Sequence, residues 1–266
     1  YADTMEINVW GSAEFMGGSY NEGEERWRLQ IRRGDGSERI LHPRHVVMAT
    51  GVSALPVMPD LPGQKDFQGE LLHSSAYISG TKWKGGKGIV LGTGNSGHDV
   101  AHDLHASGVD TKIVQRSSTL IISLKEAQRV YELYQQGAPI EDCDLVATAS
   151  PYPLLVKGYQ MTAEACKNAD AKLLEGLAAR GFRLDNGDPD DTGYQMKYLR
   201  RGGGYYFNVG ASDLIVEGKI ELLHHQEIER VVANGLLMKD GSVAEADVIV
   251  AATGYKNQQD VVRHFM

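Results

Sequence analysis

Gly88-Ile89-Val90-Leu91-Gly92-Thr93-Gly94-Asn95-Ser96-Gly97-His98-Asp99-Val100-Ala101 is the stretch whose reading decides the fold. Gly88 to Leu91 is a short apolar run suited to a buried strand, and it leads straight into a GxGxxG turn. Apolar residues then recur at helical spacing through Val100, Ala101, Leu104 and Ala106, with Gly108 as the stop. Lys112-Ile113-Val114-Gln115 reads as the next strand. Strand, helix and strand within about thirty residues make one βαβ unit, which requires a right-handed crossover and a parallel sheet.

Each glycine of the turn has a task that a side chain would obstruct. Gly92 makes the turn, Gly94 lets the backbone approach a pyrophosphate, and Gly97 allows helix and strand to pack closely while the helix amides face the anion. Thr93 lies inside the turn. Asn95 and Ser96 are placed either to donate hydrogen bonds to a pyrophosphate or nicotinamide ribose, or to cap the helix. An NAD-type site carries a carboxylate about 20 residues onward, for the ribose 2′-hydroxyl. Here the second strand ends Gln115-Arg116-Ser117. A guanidinium pairs with a 2′-phosphate in two-pronged fashion and Ser117 adds a hydroxyl donor, so NADPH is favoured over NADH.

Outward from this unit, residues 6–40 alternate in short runs around Gly34-Asp35-Gly36 and read as an antiparallel meander. Val46-Val47-Met48-Ala49 reads as a buried strand closing at Thr50-Gly51, followed by a linker holding Pro56, Pro59 and Pro62. The segment 124–180 is helical, interrupted at Pro139 and Pro151-Tyr152-Pro153, with Gly181 as its cap. Residues 185–191 form a polar loop, 205–209 a strand, and Ser212-Asp213 caps a short helix. A hairpin over 231–238 and the strand Val248-Ile249-Val250-Ala251 complete the reading.

The chain has 266 residues and a formal charge of −8, an ordinary mixed surface without the basic stripe that nucleic-acid binding needs. No run of about 18 apolar residues suggests a membrane span, and no cleavable secretory start is visible. Cys143 and Cys166 are too widely separated for a CxxC pair, which disfavours a dithiol oxidoreductase and a zinc site and suits a reduced, cytoplasmic setting. Tyr1 in place of Met, and an ending a few residues into a new helical pattern, suggest the interior of a longer protein.

Phe67-Gln68-Gly69-Glu70-Leu71-Leu72-His73-Ser74-Ser75-Ala76-Tyr77 matches FxGxxxHxxxY just upstream of the nucleotide turn. In this the chain resembles the flavin-containing monooxygenases, class B flavoprotein monooxygenases with two dinucleotide-binding domains. The order of signals agrees: a first ATG at Ala49-Thr50-Gly51, the motif, the GxGxxG, and a second ATG at Ala252-Thr253-Gly254. The related Baeyer-Villiger enzymes usually close the motif with Trp, so Tyr77 points to oxygenation of nitrogen or sulfur.

The resemblance implies an α/β fold: a Rossmann-like NADPH-binding domain over residues 87–251 with a parallel sheet and a helical insertion at 124–200. It further implies a partial FAD-binding domain at 1–52, contributing the meander and first ATG strand, a motif-bearing linker at 53–86, and a return to the FAD side at 252–266. It implies NADPH and FAD as cofactors, with O2 and a small nucleophilic or carbonyl compound as substrates, oxygenated through a flavin C4a-hydroperoxide. Gly92, Thr93, Gly94, Asn95, Ser96, Gly97, Arg116 and Ser117 would hold NADPH, and Ala49, Thr50, Gly51, Thr253 and Gly254 would lie at the domain crossings. No catalytic residue is assigned. A second GxGxxG, which would grip FAD, is missing from the sequence, so the chain alone is expected to hold FAD poorly. Three alternatives stand beside this reading: an isolated NADPH-binding module without activity of its own, a Baeyer-Villiger-type monooxygenase, and a flavin disulfide reductase, which needs a dithiol.

Among single residues, His73 belongs to the type that moves protons near neutral pH, but in the motif it reads as a tie between linker and nucleotide side. Phe67 and Tyr77 read as packing residues. His98 and His102, four apart, lack a further metal ligand at suitable spacing, and Asp99 and Asp103 suit a solvated helix face. Lys197 to Arg201 reads as a solvated basic loop.

Overall fold

A three-stranded antiparallel meander lies in the smaller of two compact units, residues Tyr1–Pro56 with Tyr255–Met266. Its strands are β1 (Ala13–Asn21), β2 (Arg26–Arg33) and β3 (Glu38–Leu41). Asp35 closes the second turn by accepting from the Ser37 amide at 2.9 Å, the short Asp-to-backbone bond that made this stretch legible as a turn. The closing helix, Gln258–Phe265, is capped by Asn257, which accepts from the Asp260 amide at 2.9 Å.

One expectation fails in this unit. Residues 46–49 lie outside any strand, and Val47 is 85% exposed. An apolar run becomes a buried strand only where neighbouring strands receive its amides, and the meander here ends at Leu41.

The larger unit, Val57–Gly254, is built on five parallel strands. The computed structural model describes residues 1–187 and 189–266, so Asp188, within the expected polar loop, lies outside the described residues. β4 (Glu70–His73), β5 (Lys87–Leu91) and, after helix α1 (Asn95–Ala106), β6 (Asp110–Gln115) set the sheet. An insertion follows: β7 (Leu120–Ser123), the short helices α2 (Leu124–Ala127) and α3 (Glu132–Gln135), then α4 (Ile140–Thr148), α5 (Tyr152–Ala169), α6 (Ala171–Ala179), α7 (Gly193–Arg201) and β8 (Tyr205–Asn208). After α8 (Ala211–Val216) come β9 (Glu221–His224), the small antiparallel sheet β10 (Ile228–Val232), β11 (Gly235–Met238) and β12 (Val243–Glu245), and finally β13 (Val248–Ala251).

The parallel order is β4-β13-β5-β6-β9, so β13, last in sequence, sits beside β5 at the centre. Side chains alternate between the sheet's two faces. Val90, Val248 and Val250 join Ala101 and Leu104 of α1 in one core cluster. Ile89, Leu91 and Ile249 face Val231, Leu236 and Met238 of the small sheet in another. Ile89, Val90 and Ile249 are wholly buried, each contributing about 1.5–3 kcal/mol by leaving water.

Of the stretch 53–86 read as a linker, residues 57–86 belong to this unit, and β4 within them forms the edge strand paired with β13. The proline-rich start hid a strand of only four residues. The stretch 197–201 is also corrected: it is the second half of α7, where Lys197 is buried in an ion pair with Asp185. Two charges that neutralise one another can leave the surface together, and sequence spacing carries no sign of it. Gly210 with Asn208, rather than Ser212-Asp213, opens α8: Asn208 accepts from the amides of Gly210 and Ser212.

Candidate nucleotide site

The turn after β5 is shaped by two contacts that exclude side chains. Gly92 has φ +119°, and a Cβ there would stand 2.4 Å from the Ala252 carbonyl oxygen. At Gly97, in the first turn of α1, a Cβ would stand 2.1 Å from the Gly92 oxygen. Both neighbours are backbone and cannot yield, so the strand end, the turn and the helix start lock together. Gly94 is the opposite case. Its nearest neighbour to a built Cβ is the Tyr205 oxygen at 3.9 Å, so the space over this residue is open.

The side chains sort differently from the sequence expectation. Gly94 itself is the N-cap, and neither Asn95 nor Ser96 caps α1. Asn95 Oδ1 accepts from the Phe207 amide at 3.0 Å, which ties the start of α1 to β8. Thr93 is buried, its hydroxyl 2.6 Å from that of Thr119. Ser96 is exposed at the helix start and remains a donor toward solvent. At the end of β6, Gln115 is buried and makes two bonds to the backbone of Arg183, at 2.9 and 2.8 Å. Arg116 and Ser117 are exposed beyond it. The amides at the start of α1, the exposed Ser96 and the exposed guanidinium at the end of the next strand are the kinds of group that receive an anion.

Beneath the turn, the His98 ring lies flat on Tyr206, with centroids 4.0 Å apart and planes within 3°. Its Nδ1 is 3.2 Å from the Gly94 oxygen, while its Nε2 is buried without a partner among the described residues. Burial drives the His98 pKa down to about 4. The ring is therefore neutral at physiological pH, with Nδ1–H donating to Gly94. It supports the turn from below, and among the described residues no group of three or more His, Cys, Asp or Glu is disposed to hold a metal.

The FxGxxxHxxxY motif acts as a bracket. Phe67, half-buried, packs against the core cluster that includes the small sheet, and Gly69 is required because a Cβ would meet the Asp247 oxygen at 2.4 Å. His73 Nδ1 accepts from the Ser75 amide at 3.1 Å, which leaves the hydrogen on Nε2, and this donates to the Gly254 oxygen at 3.0 Å. The same oxygen accepts from the Val57 amide at 3.0 Å, and the Thr253 hydroxyl donates to the Val57 carbonyl at 2.5 Å. Thr253 and Gly254 are thus engaged in holding the turn after β13.

At the motif's other end, the Tyr77 hydroxyl donates to Asp103 at 2.6 Å, and the Gly80 amide donates to the same oxygen at 2.7 Å. Burial, then Asp103 itself, pushes the Tyr77 hydroxyl far above its ordinary pKa and keeps it a donor. Asp103, expected on a solvated face, is the anchor of α1. Its partner lies 26 residues upstream, beyond the reach of any helical spacing.

Ala49, Thr50 and Gly51 lie exposed in the smaller unit, where the Gly51 oxygen accepts from Gln258 at 3.1 Å. Cys143 and Cys166 are both buried and unpaired, on α4 and α5. No helix among the described residues is long and apolar enough to cross a membrane.

Residues 35–136 match a family described as pyridine nucleotide-disulphide oxidoreductase. A rice protein named indole-3-pyruvate monooxygenase YUCCA1 is 30% identical over 233 residues, covering 87% of this chain and 50% of the relative. The chain spans about half the length of the curated relatives it matches. Cyclohexanone monooxygenase from Rhodococcus sp. Phi1, solved with NADP+, shares the fold at a TM-score of 0.64 and 18% identity, over 95% of this chain and 53% of the other. A second solved structure, OTEMO in complex with FAD and NADP, gives 0.64 and 16% over 96% and 56%.

Proposed function

We infer that this chain, which belongs to the class B flavoprotein monooxygenases, supplies the NADPH-holding part of a flavin-dependent monooxygenase that uses NADPH and FAD. The observation that carries the reading is the contrast within one turn. Gly92 and Gly97 admit no side chain because backbone lies within 2.4 Å of where a Cβ would be, whereas the space over Gly94 is open. A turn so closed beneath and so open above suits a pyrophosphate against the α1 amides.

When bound, NADPH supplies hydride to the flavin, and the reduced flavin activates O2 toward the substrate. The chain's own residues bind and orient. Gly94, Ser96 and the first amides of α1 receive the pyrophosphate. Arg116 and Ser117 receive the 2′-phosphate. His98 and Asn95 set the angle of α1, and the bracket from His73 to Tyr77 fixes that helix against the turn after β13, where Thr253 and Gly254 mark the return toward the smaller unit. Residues 49–51 mark the corresponding outward crossing on this reading.

A disulfide-reducing role is disfavoured, because the two cysteines sit buried on separate helices. The rice relative is named for a 2-oxo acid, which favours a carbonyl substrate over the nitrogen or sulfur compounds that Tyr77 suggested. Turnover of the protein at its full cellular length on a 2-oxo acid and on a thioether separates these. The cofactor assignment is tested on Arg116→Ala. NADPH should bind about 10- to 100-fold more weakly, the worth of a charge-assisted contact of about 1.5–3 kcal/mol, while NADH changes little. Equal loss for both cofactors would contradict it.

A further inference from the structure

We propose that Thr119 is a positioning residue for cofactor choice. Through its hydroxyl contact with Thr93 it holds the segment 116–118 at a fixed distance from the glycine turn, and this favours NADPH over NADH. The inference rests on the assignment of Arg116 to the 2′-phosphate, and concerns what places that residue.

Arg116 and Ser117 are exposed and Ser118 is half-buried, between the end of β6 and the start of β7. A surface segment that must order itself on binding loses affinity, unless its ends are held beforehand. Here both flanking residues are buried polar groups: Gln115 has 0% exposure and Thr119 has 3%. A single backbone oxygen, that of Arg183, serves both. It accepts from Gln115 Nε2 at 2.9 Å and from the Thr119 amide at 3.0 Å, and the Arg183 amide donates back to Gln115 Oε1 at 2.8 Å. Gln226, after β9, adds a surface tie by donating to the Arg116 oxygen at 2.9 Å. The segment is thus closed at its base.

Those bonds set the segment's shape, and one further contact sets its place. Thr93, between Gly92 and Gly94, is 6% exposed, and its hydroxyl lies 2.6 Å from that of Thr119. One hydroxyl donates to the other, so the residue inside the turn is joined directly to the residue that ends the Arg116 segment. Two methyl groups in those places would fill the same space but approach no closer than about 3.5–4.0 Å. The hydroxyl pair therefore holds the two segments about 1 Å nearer than apolar packing allows. NADPH spans that distance with a phosphate at each end, at the turn and at Arg116. NADH carries no charge to the second point, so the spacing matters less to it.

The test is titration of NADP+ and NAD+ into the 266-residue chain carrying Thr93→Val and Thr119→Val together. Replacing both partners by apolar groups of the same shape strands no hydroxyl, so the variant should melt close to the unaltered chain. The wider contact should weaken NADP+ about tenfold, the scale of coupling within one hydrogen-bond network, and leave NAD+ within about twofold. In an Arg116→Ala background the same pair of changes should no longer alter the ratio of the two affinities. Thr119→Ser, which keeps the hydroxyl, should keep the preference for NADP+, whereas Thr119→Val alone should reduce it. A ratio that survives the paired change, equal weakening of both nucleotides, or a further drop in the Arg116→Ala background would overturn the inference and leave the 2′-phosphate assignment standing. An unaltered ratio in Arg116→Ala itself would instead overturn that assignment, and this inference with it.

Discussion

The glycine turn and the helical insertion, both parts of one unit, treat polar groups and space in opposite ways. At the turn, backbone atoms stand so close that no Cβ fits at Gly92 or Gly97, while the groups that can meet a ligand, Ser96 and Arg116, lie exposed. In the insertion, charges go inside: Lys197 and Asp185 are each 4% exposed and pair with each other, and a cleft remains among the helices. The turn's geometry depends on exclusion of side chains, and such exclusion leaves glycines in the sequence. The insertion's architecture depends on mutual neutralisation between distant residues, which leaves no comparable trace.

The comparison is broken most severely by Lys197→Met. Removing one partner strands a buried carboxylate, and urea unfolding should show a loss of about 3–5 kcal/mol. Adding Asp185→Leu should recover most of it, because an apolar pair of similar volume replaces the ions; no recovery would mean that the pair has a role beyond self-neutralisation.

His98 gives the next effect, and it depends on pH. Its folded pKa of about 4 lies below the ordinary value of 6.5, so between these the unfolded chain binds a proton that the folded chain refuses. Stability is unaffected above about pH 6.5, falls as pH drops toward 4, and levels off below, for a total of about 3 kcal/mol. His98→Phe keeps a flat ring against Tyr206 and should remove that slope from a series of melts. A slope unchanged in the variant would assign it to other groups.

Smaller effects sharpen the contrast inside the turn. Gly97→Ala places a methyl 2.1 Å from the Gly92 oxygen and should cost about 1–3 kcal/mol in stability as well as nucleotide affinity. Gly94→Ala, with φ −80° and open space above, should leave stability within about 0.5 kcal/mol and still weaken NADP+. If both variants lost stability alike, the open space over Gly94 would have no special meaning.

The readable and unreadable parts of the molecule divide along the same physical line. β5, α1 and β6 were legible because a buried apolar run, a glycine turn and a helical repeat are each local signals, and all three coincided. The meander was legible through Gly34-Asp35-Gly36, and α4 and α5 through the prolines that precede them. What failed was decided by distant partners. β4 becomes a strand because β13 offers it an edge, and residues 46–49 do not become one because they have no such edge. Asp103 looked like a surface residue until Tyr77 was found against it. Asn95 begins α1 directly after the turn, but its side chain belongs to β8, which arrives 112 residues later. Local chemistry wrote the glycine turn into the sequence, whereas its supports depend on residues brought together only by folding.

The most direct test is a titration of NADP+ into the ¹⁵N-labelled chain, followed by NMR at the backbone amides and the arginine Nε signals. The predicted result is saturable shifts concentrated at residues 92–97 and at Arg116 Nε, with NAD+ reproducing the first set at higher concentration and leaving Arg116 unmoved. Saturable shifts that bypass the glycine turn, or an Arg116 signal that responds equally to both nucleotides, would contradict the assignment.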